Sequence, residues 1–184
     1  MRSKREIREV CREASKELTG EYKAEASRAI ERAVLSHPAY RAAETVFVYF
    51  SLPSEPDTRG IIAQALRDGK RVCVPRCREK PQMDAAQIHS PREMTLGPLG
   101  IPEPPADAPA LDPQEIGLAL VPCLAAGKNG SRLGHGAGYY DAFLARSRAA
   151  KICLCFGRLL RNDIPMTAQD IWMDGVITEE DEKA

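Results

Sequence analysis

Residues 130–144 read GSRLGHGAGYYDAFL, and the way this stretch is understood decides how the rest of the chain folds. Glycines at 134, 136 and 138 alternate directly after Arg132 and directly before Tyr139, Tyr140 and Asp141. Lacking Cβ atoms, they leave backbone N–H groups uncovered and admit φ > 0, so the loop can close into a concave nest around an anion. Downstream, Tyr140, Phe143 and Leu144 fall at helical spacing. Upstream, Gly117 to Pro122 (GLALVP) is a short apolar run between breakers and reads as a buried strand. Strand, glycine-rich loop and helix in that order aim backbone amides and the positive end of a helix at one spot, which suits phosphate. The spacing is not G-x-G-x-x-G, because Tyr139 stands where the third glycine is needed, and not a Walker loop, because Asn129 follows Lys128.

Outward from this loop, the same alternation recurs. Residues 3–18 place Ile7, Val10, Cys11, Ala14 and Leu18 on one helical face, ending towards Gly20 as a C′ glycine, and Tyr22 to Val34 predict a second helix stopping near Pro38. Thr45 to Phe50 (TVFVYF) has the aromatic and β-branched content of a buried strand. The polar turn SLPSEPDTRG follows it, where open α/β sheets put their ligands. Asp57 or Thr58 can cap a helix over Ile61 to Asp68, and Arg71 to Pro75 supplies the next strand, joined to the first by a parallel crossover. Met83 to His89 suggests a further strand. The segment from Gly97 to Pro113 is too proline-rich for a helix or central strand and reads as a surface wrap. Lys151 to Phe156 and Val176-Ile177 predict the last two strands, with Asp163, Asp170 and Asp174 between them able to return to the ligand-binding face. The expectation is one three-layer α/β/α domain over residues 1–184 with a largely parallel central sheet.

Composition limits the function. Lys plus Arg and Asp plus Glu number 26 each and apolar residues make up 43% of 184, so there is no overall attraction to nucleic acid and no membrane-spanning run. The opening MRSKREIREV holds no apolar signal segment, so a cytoplasmic location with free thiols is expected for the six cysteines. Their spacings match none of the usual zinc pairs.

The blocks KREIR at 4–8, YFSLPSEPDT at 49–58, GIPEP at 100–104, RLGHGAGYYDAFL at 132–144 and DIWMDGVITEE at 170–180 together resemble the 5-formyltetrahydrofolate cyclo-ligase family. The resemblance implies ATP- and Mg2+-dependent closure of 5-formyltetrahydrofolate to 5,10-methenyltetrahydrofolate by a monomer acting on small molecules. It carries ATP binding to Lys4, Arg5, Arg8, Arg132, Gly134, His135, Gly136, Ala137, Gly138, Tyr139 and Tyr140, with His135 acting through its backbone. Phe50, Glu55 and Tyr139 become folate contacts, Asp141 and Asp170 magnesium ligands, and Arg132, Tyr139 and Asp141 the catalytic set. Asp141, at a loop edge, is expected to be dispensable for the fold. The chain departs from the family pattern at Leu99, at Ala125-Ala126-Gly127 and at Arg158, positions expected to line the pocket. Those departures motivate an alternative, a non-catalytic relative that binds nucleotide or folate.

Overall fold

The computed structural model describes residues 2–97 and 101–183. In chain order the helices are α1 (Lys4–Lys16), α2 (Gly20–Ser36), α3 (Pro38–Ala42), α4 (Arg59–Arg67) and α5 (Tyr139–Leu144). The strands are β1 (Thr45–Val48), β2 (Arg71–Cys77), β3 (Met83–Ile88), β4 (Thr95–Leu96), β5 (Pro102–Glu103), β6 (Ala110–Leu111), β7 (Leu118–Val121), β8 (Ala125–Ala126), β9 (Arg132–Leu133), β10 (Ala150–Leu154) and β11 (Gly175–Ile177). Seven of them form one sheet in the order β11-β10-β7-β1-β2-β3-β6. The pairs from β11 through to β2 are parallel, whereas β3 runs antiparallel to β2 and β6 antiparallel to β3.

Every residue of β1 and β7 is buried, which requires cover on both faces of the sheet and explains their unbroken apolar sequences. Phe47 of β1 stacks on Phe143 of α5 with ring centroids 4.5 Å apart. That contact ties the helix after the glycine loop to the centre of the sheet, and such a pair contributes about 0.5–1.5 kcal/mol beyond its area. From β1 the sheet extends through β2 on one side and through β7 on the other. The strand order therefore reverses at β1 and β7, and the crevice beyond their carboxyl ends is where such a sheet accepts a ligand. Among the described residues no helix is long and apolar enough to cross a membrane.

Local chemistry corrects one expected boundary and adds elements beside others. Gly20 does not end the first helix; α1 stops at Lys16, and the Thr19 hydroxyl accepts the Tyr22 N–H so that Gly20 opens α2. Pro38 starts α3 as well as following α2, because His37 Nδ1 accepts the Ala39 N–H and proline at the first helical position has no donor to waste. Between β7 and the glycine loop the chain makes an unforeseen hairpin, β8 paired with β9, so Arg132 lies in a strand and is buried. The helix after the loop, α5, has only six residues, about a turn and a half. An anion at the loop would therefore depend on amides and side-chain cations more than on a helix dipole. In the proline-rich segment, Leu99 lies outside the described residues, and Ala110–Leu111 adds to the sheet only as its edge.

Candidate active site

A cavity of about 1030 Å³ opens at the carboxyl ends of β1, β2 and β7. Its two sides differ in chemistry because different elements supply them.

The first side is built by α1 and the glycine loop. A capping box between Ser3 and Glu6 starts α1, and Ile7 and Cys11 seat it in a small apolar cluster with Leu124, Ala125, Leu133 and Ile164. Lys4 and Arg8, one turn apart on the helix, consequently face the cavity. Lys4 Nζ lies 2.5 Å from the Asp170 carboxylate, and Arg8 Nε donates to the Gly134 carbonyl at 2.9 Å. Arg5 does not join them. Its side chain is 89% exposed beside Glu9.

From Gly134 to Tyr140, no backbone N–H donates a hydrogen bond to any described residue. Gly136 and Gly138 hold φ of 98° and 81°, the left-handed backbone with which successive amides can form an anion-binding nest. Beneath this loop the Arg132 guanidinium, 5% exposed, donates from Nη2 to both Asp141 oxygens at 3.1 Å and from Nη1 to the Pro122 carbonyl at 3.2 Å. Its Nε is buried without a partner among the described residues. Asp141 Oδ1 also accepts the Ile171 N–H at 3.2 Å, which brings Asp141 against the segment carrying Asp170. Asp141 therefore neutralises a buried cation and pins a second chain segment, so the expectation that the fold would be indifferent to it is corrected.

The second side follows β1. Tyr49, Phe50, Leu52 and Glu55 line it, with Pro75, Cys77 and Met83 from β2 and β3 and Ile101 and Pro102 from the wrap. Glu55 is buried, its Oε2 accepting the Leu52 N–H at 2.9 Å, so this carboxylate caps its own turn, a role its sequence context did not disclose. Burial above all, and then the Glu55 charge, push the phenols of Tyr49 and Tyr140 well above their ordinary range. Tyr139 borders the same space.

Of the residues predicted from sequence, Lys4, Arg8, Arg132, the loop from Gly134 to Tyr140, Phe50, Glu55, Asp141 and Asp170 all border one cavity. Ala125, Ala126 and Gly127 do not line it; both alanines are fully buried in β8. Arg158 is also elsewhere, with its guanidinium over the Tyr22 ring. These positions therefore lie in the packing around the site and not in its lining, which corrects the expectation. Reading the sequence missed Cys77, Met83 and Tyr49, although alternation along β2 places Pro75 and Cys77 on one face and was an available signal. It also missed the Leu52 and Ile171 amides, which no side-chain pattern reports.

Among the described residues no group of three or more His, Cys, Asp or Glu is placed to hold a metal ion. Asp141 and Asp170 have the hard carboxylate oxygens that magnesium takes, but each is already paired with a cation, Asp141 with Arg132 and Asp170 with Lys4, so a magnesium ion held there would share those carboxylates with the two side chains.

A family model described as the 5-formyltetrahydrofolate cyclo-ligase family matches residues 1–179. A probable 5-formyltetrahydrofolate cyclo-ligase of Schizosaccharomyces pombe is 32% identical over 80% of this chain and 80% of its own length. A 5-formyltetrahydrofolate cyclo-ligase of Mycolicibacterium smegmatis is 35% identical over 73% of both chains. The solved structure of 5,10-methenyltetrahydrofolate synthetase from Aquifex aeolicus aligns with a TM-score of 0.85 at 26% identity, covering 96% of this chain and 90% of that one.

Proposed function

Since the chain belongs to the 5-formyltetrahydrofolate cyclo-ligase family, we propose that it converts 5-formyltetrahydrofolate to 5,10-methenyltetrahydrofolate, with ATP converted to ADP and phosphate. The observation that carries the nucleotide half is the run of unpartnered amides from Gly134 to Tyr140 beside Arg8, Lys4 and Arg132. Such a set of fixed donors and cations matches a polyphosphate and little else of comparable size.

The γ-phosphoryl group passes from ATP to the formyl oxygen, breaking the bond to the β-phosphate oxygen and leaving ADP. N10 then attacks the activated formyl carbon, its proton leaves to solvent, and the C–O bond breaks to release phosphate. Both steps ask for positioning and for neutralisation of charge spread over phosphoryl oxygens, with no protein nucleophile required. The loop amides and Arg8 hold the polyphosphate. Arg132, kept in place by Asp141 and the Pro122 carbonyl, supplies a positive field from below the loop. Glu55 offers Oε1 to the amino-pyrimidine N–H groups of the pterin, while Phe50 and Tyr139 flank the ring. Asp141 and Asp170 would hold Mg2+, which when bound neutralises the phosphate oxygens.

Purified protein given Mg-ATP and 5-formyltetrahydrofolate should develop the methenyl absorbance band in step with ADP. Folate binding without that band would favour the non-catalytic alternative.

A further inference from the structure

His135 lies in the glycine loop, and its side chain reaches the Glu55 side of the cavity. Its backbone amide belongs to the unpartnered run, while its Nε2 lies 3.6 Å from Glu55 Oε1. Its imidazole is half-exposed and the Glu55 side chain is only 6% exposed. His135 also lines a second, smaller cavity of about 330 Å³, as well as the main one. Leu52 N–H satisfies Glu55 Oε2, which leaves Oε1 as the oxygen for which substrate and His135 compete. On either side stand Gly134 and Gly136, the latter at φ 98°. This backbone can move with whatever fills the loop.

We infer that His135 is a latch coupling the two substrate sites: closed, it occupies the Glu55 oxygen that the pterin needs, and nucleotide opens it by drawing the 135 amide onto phosphate. The inference rests on the folate and nucleotide assignments proposed above. Each substrate then removes a contact that opposes the other, so each tightens binding of its counterpart, and linkage requires the same factor in both directions. His135 acts through Glu55 and is a positioning residue. Its imidazole takes no part in either bond-making step.

The test is calorimetric titration of 5-formyltetrahydrofolate into the full chain, with and without magnesium and a non-hydrolysable ATP analogue, for the natural protein and His135→Ala. In the natural protein the analogue should tighten folate binding by about fivefold or more, a typical allosteric coupling. In His135→Ala, folate alone should bind tighter than to the natural protein, and the analogue's effect should shrink towards unity. If the substitution merely disordered the loop, nucleotide alone would bind worse while folate alone gained nothing, and the latch would be overturned. It would equally be overturned by an undiminished coupling factor in His135→Ala. Should neither ligand bind the natural protein, the proposed function itself fails, a result distinct from loss of coupling alone.

Discussion

The two loops that meet in the cavity solve opposite problems. The segment after β1, residues 49–58, is held by its own bonds and by α2: Glu55 accepts the Leu52 amide, the Thr58 hydroxyl donates to the Tyr49 carbonyl at 2.6 Å, the Tyr49 hydroxyl donates to the Pro56 carbonyl, and Ser27 of α2 accepts the Asp57 amide. The glycine loop leaves its amides from Gly134 to Tyr140 without partners. A self-bonded loop presents a shape fixed before the ligand arrives, which suits a rigid heterocycle. An unsatisfied loop presents donors, which suits a charged chain whose oxygens complete the missing bonds. The contrast is what gives one cavity two chemically different ends.

The largest expected effect lies where the glycine loop meets its support. Asp141→Ala should lower turnover by roughly a hundredfold or more through loss of charge organisation, and should also cost about 3 kcal/mol of stability by stranding the buried Arg132. Denaturant midpoints and steady-state rates at raised magnesium separate the two; unchanged stability would show that the Arg132 pair contributes nothing. Gly136→Val comes next. A β-branched side chain at φ 98° is strained by about 1–2 kcal/mol, and a Cβ there would sit 3.2 Å from the Arg8 guanidinium carbon. Nucleotide affinity should fall at least about tenfold while folate still binds, and equal loss of both ligands would erase the division between loops.

On the other loop, Glu55→Gln keeps the shape and removes the charge. It should raise KM for folate by roughly tenfold while kcat at saturating folate changes far less, the signature of lost ground-state binding; a fall confined to kcat would speak against a binding role. Asp57 tests the loop's rigidity by pH. Hydrogen bonds and charge from Arg59 hold its pKa below the ordinary 3.8, against the opposing pull of burial. A lowered folded value means its contribution is fully present above 3.8 and is lost as pH falls through that lower value. The stability difference between the natural protein and Asp57→Asn should therefore be flat at neutral pH and vanish in acid. The smallest effect is at Arg5. Arg5→Ala should leave rates unchanged and stability within about 0.5 kcal/mol, in contrast with Arg8→Ala, since the two differ in which face of α1 they occupy.

Much of this was legible in the sequence for a physical reason. The strands from Thr45, Arg71, Leu118 and Ala150 are buried on both faces or nearly so, and continuous apolar runs between breakers have few other readings. What was hidden belongs to short-range competition and to the backbone. The β8 and β9 pair has two residues in each strand, below any periodicity, and so Arg132 looked like a loop cation when it is a buried strand residue. Gly20 and Pro38 each carry both start and stop meanings, and only the Thr19 and His37 caps decide between them. Glu55 could be placed in a loop but not known to be buried, because its partner is a main-chain amide. Arg5 and Arg8 looked equivalent until the seat of Ile7 and Cys11 fixed the rotation of α1.

Backbone hydrogen exchange of residues 134–140, read residue by residue with and without magnesium and a non-hydrolysable ATP analogue, tests the nucleotide assignment without relying on turnover. These amides should exchange rapidly in the free protein and become protected with nucleotide, while the hydrogen-bonded amides of Leu52, Glu55, Asp57 and Thr58 stay protected in both states. Protection appearing elsewhere, with the 134–140 amides unchanged, would contradict the assignment of this loop as the polyphosphate site.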